Sequence, residues 1–305
     1  MISEPLDNRD VPVLLIGFNR PDYLLDRILE LNEMPIKHLF ISIDGNLNTN
    51  LVDFEPVITI TKNIFTNLDS LVIERFDENL GLVDHLTSAI TKVFQSFNYV
   101  IVVEDDIALT RNFYVNMLNG FNLQRDLNLS GIIGGFSPMN FSKLSKLKNH
   151  WRVSKYCSIW GWGCTKSAWN GYSFNLQQID FESTLTESES WNNLNKFQKN
   201  LWVQRFKKAQ TNPNFTWDIQ LQYHSFLNNF QNIYPLSTLV KNVGFMDYRA
   251  THTKNRKPNW MSSLNGDNRL ITRKGISRYS SLISKLLDAN TVAGDTKLNK
   301  FWSNL

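Results

Sequence analysis

Cysteine is nearly absent: Cys157 and Cys164 are the only two in 305 residues. A disulfide-stapled secreted scaffold carries more, so a reducing, cytoplasmic compartment is the expectation. Two cysteines without histidines beside them do not make a zinc site, and both read as small buried hydrophobes. No window approaches 18 consecutive apolar residues, the length a membrane-spanning helix needs. The opening Met-Ile-Ser-Glu-Pro-Leu-Asp-Asn-Arg-Asp has no apolar signal region. Strong charge of either sign is missing too. The 32 basic and 28 acidic residues leave +4, too mild to imply nucleic acid but compatible with a small anionic substrate. A glycine-rich phosphate loop is also lacking: the chain has neither G-x-G-x-x-G after its first strand nor G-x-x-x-x-G-K.

What is present is a globular, aromatic-rich composition. The chain is 42% hydrophobic, with nine Trp and twenty Phe, enough to build a large core and line a cleft. Short apolar runs alternate with helical spacing over roughly the first 136 residues. Val11 to Phe18, His38 to Ile43, Ser70 to Phe76 and Tyr99 to Val103 read as strands. Between them, Leu24, Ile28 and Leu31, then residues 57–68, then Leu82, Leu86, Ile90, Val93 and Phe97 read as helices, with Pro21 at a first turn. Gly131 to Phe136 reads as a further strand. The alternation predicts an α/β fold with a mostly parallel central sheet, flanked by helices and joined by right-handed crossovers.

In such sheets ligands bind beyond the carboxyl ends of the strands. Four unusual loops fall there: Asn19-Arg20, Asp44-Gly45, Asn79-Leu80-Gly81, and Glu104-Asp105-Asp106. The last stands out, because three carboxylates at the end of a buried strand must be solvated, paired or bound to a cation. Taken alone they are equally a solvated turn. Hard oxygen donors suit Mg2+ or Mn2+ shared with a phosphate-bearing ligand. Arg20, with its planar fork, can meet a phosphate, or can simply be a solvated arginine at a helix start.

Residues 151–169 place glycines between large aromatics, including Trp160-Gly161-Trp162. This pattern suits close approach to a ligand or a tightly packed core corner. Residues 176–212 are polar and helical in character, with Trp191, Phe197, Leu201 and Phe206 as inward anchors. Trp217-Asp218 offers either a general base or a helix N-terminal acid. Residues 233–244 carry a strand and a turn. His252 sits among polar residues before Lys254, Arg256 and Lys257, which favours it over the other histidines as a ligand. The basic tail carries one helical segment, residues 277–287. It reads as a flap, a membrane-surface patch or a solvated extension.

The stretch Tyr99 to Phe113, with its apolar strand and Glu-Asp-Asp, resembles the nucleotide-sugar site of GT-A glycosyltransferases, especially N-acetylglucosaminyltransferase I and related bacterial transferases. Pro12 to Pro21, Ile43-Asp44-Gly45, Glu78 to Leu82, Trp160 to Trp169, Trp217-Asp218 and Asn242 to Thr253 extend the resemblance in order. It implies one GT-A domain. Residues 1–136 form the donor half, residues 137–253 the acceptor and catalytic half, and residues 254–305 a basic C-terminal extension.

The resemblance further implies donor contacts at Phe18, Asn19, Arg20, Asp44, Asn79, Gly81, Glu104 and Asp105. It implies metal ligation by Asp106 and His252, sugar contacts at Trp160, Gly161, Trp162 and Trp217, and a general base at Asp218. The expected cofactor is Mn2+ or Mg2+. The expected partners are a nucleotide-sugar, with UDP favoured, and a glycan or lipid-linked glycan acceptor of surface-polysaccharide type. No nucleic acid is expected, and the basic tail leaves room for peripheral membrane contact. Two other classes compete: a sugar-phosphate nucleotidylyltransferase, which would want the missing glycine-rich loop, and a non-catalytic glycan- or partner-binding protein on a degenerate transferase fold.

Overall fold

The computed structural model describes residues 4–45, 53–137 and 150–249, together with 268, 270, 271 and 288. In chain order the first part is β1 (Val13–Gly17), α1 (Pro21–Asn32), β2 (His38–Ile43), α2 (Glu55–Ile64), β3 (Ser70–Arg75), α3 (Leu82–Val93), β4 (Tyr99–Glu104), β5 (Ile107–Leu109), α4 (Phe113–Asp126) and β6 (Ile132–Gly134). Then follow β7 (Trp151–Ser154), β8 (Trp162–Thr165), the short helices α5 (Lys166–Trp169), α6 (Phe181–Thr184) and α7 (Glu189–Asn192), and α8 (Lys196–Thr211). A single 3-10 turn at Pro213–Phe215 leads to α9 (Asp218–Leu227), β9 (Asn232–Pro235) and β10 (Val240–Asn242).

One eight-stranded sheet runs β3-β2-β1-β4-β8-β6-β9-β7. The first four strands are mutually parallel, with Ile16 opposite Glu104 and Gly17 opposite Ile43. The alternating β/α pattern predicts this half. Beyond β4 the sheet is mixed. β8 enters antiparallel between β4 and β6, so both halves of the chain share one sheet. A separate ribbon pairs β5 with β10, with Ile107 opposite Asn242. Three residues per strand leave little pattern for a sequence reading to catch.

Strand alternation sends side chains to two cores. Val13, Leu15, Ile101 and Val103 pack with α1, α2 and α4, while Leu14, Ile16, Val100 and Val102 pack with α3. Leu24, Ile28 and Leu31 of α1 are fully buried at i, i+4 and i+7. Each contributes about 1.5–3 kcal/mol by leaving water. α3 buries Val83, Leu86, Ile90 and Val93 in the same manner.

The third cluster differs from expectation in one respect. Trp191 and Phe206 are buried, but Phe197 is exposed and Trp202 lies inside instead. Trp202, Phe206 and Ala209 form the buried stripe of α8 at i, i+4 and i+7, and Phe197 falls on another face. Cys164 is buried and Cys157 half-buried, both as free thiols.

Parts of the C-terminal region return to the body. Ile271 donates its amide to Asn116 Oδ1 at 2.7 Å, and Asp288 accepts from Arg152 Nη1 at 2.8 Å. His252 and the helix expected at residues 277–287 lie outside the described residues. No described helix is long and apolar enough to cross a membrane.

Candidate active site at the carboxyl edge of the sheet

β4 delivers the acids. Its alternation, continued one residue, puts Glu104 on the side of Val100 and Val102. Trp162 of β8 and Trp217 pack on that side, their rings stacked at 5.3 Å between centroids. Asp218 follows Trp217 as the first residue of α9, and Thr216 Oγ1 donates to its carboxylate. The Asp218 charge is felt at Glu104. Two acids distant in sequence therefore share one side of the rim.

Asp105 and Asp106 meet Arg20 instead. The Arg20 Nε donates to Asp105 Oδ2 at 3.3 Å and Nη1 to Asp106 Oδ2 at 3.2 Å. Its Nη2 donates to Asp105 Oδ1. One guanidinium thus spans both aspartates, while its Cζ lies 5.3 Å from the Tyr23 ring centre. A second arginine works from behind: buried Arg27 donates from Nη1 to the Asp105 carbonyl at 3.2 Å. Arg27 is itself held by Glu30 through paired contacts of 2.7 and 2.8 Å. Glu30 in turn accepts from the Leu109 amide at 2.8 Å. α1 therefore grips the acidic turn at both ends.

The β5–β10 ribbon brings a third strap of chain across. Val243 donates its amide to the Asp106 carbonyl at 2.8 Å. At Gly244 a Cβ would sit 2.3 Å from Asp106 Oδ2 and 2.9 Å from Arg20 Nη1, so only glycine fits there. Arg249 then ties the strap to α1, reaching Asp22 at 2.5 and 2.9 Å and Asp247 at 2.8 Å. Asn19 Nδ2 donates to the Arg249 carbonyl at 3.2 Å. The sequence reading missed Arg27, Glu30 and Arg249. Charged residues at i and i+3 on α1 were the available signal for the first two.

Burial dominates the electrostatics. It pushes Glu104 up to about 8, helped by Asp106, Asp105 and Asp218 and opposed by Arg20. It raises Asp105 to about 6 against the pull of Arg20, and it raises Asp106 as well. Burial and the neighbouring carboxylates thus favour the protonated form of Glu104.

Other expected residues take structural duties. The Asp44 carboxylate accepts four hydrogen bonds: from the Gly45 amide at 2.9 Å, Leu80 amide at 2.8 Å, Gly81 amide at 3.1 Å and Asn79 Nδ2 at 3.1 Å. These use the lone-pair sites a carboxylate offers, and Asn79 and Gly81 act as donors in that clamp. Gly81 has φ +82°, a conformation that favours glycine. Trp162 and Trp217 are core residues, 0% and 2% exposed, so neither ring offers a face to a sugar. Gly161, at φ +55°, is wedged against Val240 and Phe113. Trp160 is the exception in its segment. It is half-buried, 4.5 Å from Phe136 and 6.1 Å from Phe245 between ring centres. Phe18 is also half-buried, next to Asn19. A cleft of about 800 Å3, lined by Thr91, Phe94, Asn98, Lys166 and Trp169, opens at the Tyr99 end of β4, away from the acids.

Among the described residues no three His, Cys, Asp or Glu side chains converge to hold a metal. The donor chemistry still fits a hard divalent cation. Mg2+-type ions commonly use one or two carboxylates and take the rest from phosphate and water. Asp105 and Asp106 supply two carboxylates already seated on a cationic group.

No protein-family model matches the sequence, and no curated relative does. Among solved structures, the fold is similar to a mannosyltransferase from Pyrobaculum calidifontis in complex with GDP-Man and Mn2+. That match has 12% identity and a TM-score of 0.44, covering 72% of this chain and 69% of that one. It is also similar to a UDP-glucose pyrophosphorylase complexed with UDP-glucose, at 8% identity and a TM-score of 0.35, covering 73% and 89%. Likeness at this level concerns architecture alone.

Proposed function

We propose that this chain is a divalent-cation-assisted glycosyltransferase. It moves a sugar from a nucleoside-diphosphate donor, UDP-sugar favoured, to a hydroxyl of a glycan or lipid-linked glycan in surface-polysaccharide synthesis, with inversion. The observation that carries this reading is the meeting of Arg20 with Asp105 and Asp106 at the end of β4. The chain thereby gathers an anion-binding guanidinium, hard oxygen donors and a separate carboxylate in one rim.

Arg20 binds the donor diphosphate through its fork. Asp106 and Asp105 would hold a divalent cation, whose chemistry there would be charge neutralisation of the leaving diphosphate. Glu104 and half-buried Trp160 orient sugar. Asp218 accepts the proton of the acceptor hydroxyl as that oxygen bonds to the anomeric carbon and the bond to the diphosphate oxygen breaks. One displacement inverts the anomeric centre.

The test is a thermal-shift panel of UDP-, GDP-, CMP- and dTDP-sugars with Mn2+ and with EDTA. A cation-dependent rise with one nucleotide class supports the reading and names the donor base. Well-folded protein that responds to none of them sinks it.

A further inference from the structure

Three of the Arg20 nitrogens are spent on Asp105 and Asp106, the same carboxylates that the proposed function gives to a cation. The guanidinium already occupies these oxygens, and on the Asp106 side the strap leaves little room for an ion beside it. The strap at Gly244 approaches Asp106 Oδ2 and Arg20 Nη1 so tightly that even a methyl would clash. Nor can Arg20 simply leave. Glu104, Asp105 and Asp106 lie together at the rim, and the second arginine in contact with this turn, Arg27, is already paired with Glu30. Withdrawing one positive charge from two largely buried aspartates is costly unless another replaces it.

The fork that fits carboxylate also fits phosphate. Arg20 stands at the residue before α1, on a long side chain resting on Tyr23, with Asn19 beside it tied to the strap. It has both a reason to stay while the site is empty and a second partner of matching shape when a diphosphate arrives.

We propose that Arg20 is an exchangeable counter-ion, closing the Asp105–Asp106 pair in the free protein and yielding it to a divalent cation as the guanidinium moves onto the donor diphosphate. This deepens the proposed function and rests on it. Its consequence is reciprocal: the cation frees Arg20 for the diphosphate, and the diphosphate frees the aspartates for the cation. Each ligand strengthens the other by the same factor.

The experiment is a Mn2+ titration of the full chain, followed by electron paramagnetic resonance and calorimetry, with and without UDP or GDP. It compares wild type with Arg20→Met, which keeps the stem and removes the charge. In wild type, Mn2+ alone binds weakly, and the diphosphate tightens it at least tenfold. In Arg20→Met, Mn2+ alone binds more tightly than in wild type. The coupling factor falls about tenfold, leaving only the direct bridging of ion and phosphate. Coupling equal to wild type in the variant overturns the exchange and makes Arg20 a fixed strut. Absence of Mn2+ and diphosphate binding in wild type overturns the functional reading itself. If Arg20→Met fails to fold, Arg20→Lys replaces it, since one ammonium cannot span both aspartates as the fork does. A reduced coupling factor there supports the exchange, and an unchanged one refutes it.

Discussion

Arg27 and Asp105 are joined through the main chain, not through charge: the guanidinium donates to the Asp105 carbonyl at 3.2 Å while Glu30 neutralises it. The acidic turn is thus shaped by a buried arginine that hydrogen-bonds to its main chain and not to its carboxylates. Arg27→Met should cost about 2–4 kcal/mol, because it strands that carbonyl and leaves Glu30 unpaired. Urea unfolding reads this directly. A loss under about 0.5 kcal/mol, the usual range of an uninvolved surface change, would mean the turn holds itself.

Asp44 separates two jobs. Four donors converge on its carboxylate, so Asp44→Asn should turn an amide NH2 against backbone N–H groups and lower stability by about 1–3 kcal/mol. If Asp44 reads the nucleotide base instead, the variant should keep its stability and change its nucleotide preference. Denaturation and the thermal-shift panel, run together, decide.

Two neighbours of Asp218 in the fold bear on its proposed role as the base. Trp217 is locked on Trp162, and Thr216 donates to the carboxylate, so the acid is oriented before any ligand arrives. Asp218→Asn should keep donor binding and lose transfer by about 100-fold or more, since only proton removal is impaired. Calorimetry with the nucleotide and a transfer assay give the two readings. Loss of nucleotide binding would remove Asp218 from the role of base.

Glu104 makes stability depend on pH. Its folded value, about 8, lies above the ordinary 4.5. Between these the folded state holds a proton the unfolded state has lost, so stability falls as pH rises through that window, by at most about 1.4 kcal/mol per unit. Asp105, raised to about 6, adds a fall of the same sign below that value. Melting temperature measured from pH 5 to 8 should decline in wild type and decline less in Glu104→Gln. Equal slopes would show that Glu104 is ionised throughout.

Much of the first half is legible in the sequence because physics leaves period and run length there. Fully buried parallel strands read as unbroken apolar runs, and α1 and α3 keep their i, i+4, i+7 stripes. The order of loops along one rim follows from parallel topology, and Arg20 and the acids do meet. The second half hides its logic. β8 is four residues, Trp-Gly-Cys-Thr, too short to show alternation, yet it completes the central strand. Trp160 and Trp162 look alike in sequence, and only the strand separates the half-buried ring from the core one. In α8, where most positions are polar, Phe197 and Trp202 compete for the inward face, and the stripe shared with Phe206 and Ala209 decides.

The strap through β10 has a consequence for the order in which the molecule matures. Arg249 clasps Asp22 across 227 residues, and Val240 pairs with Leu109. On a ribosome adding about 5–20 residues per second, the acidic turn emerges many seconds before its clasp exists. Until β8 is made, β4 also presents a bare hydrogen-bonding edge. The nascent first half is thus a sheet with an open seam and uncovered acids. The rim at the end of β4 is therefore closed only after the strap has been made.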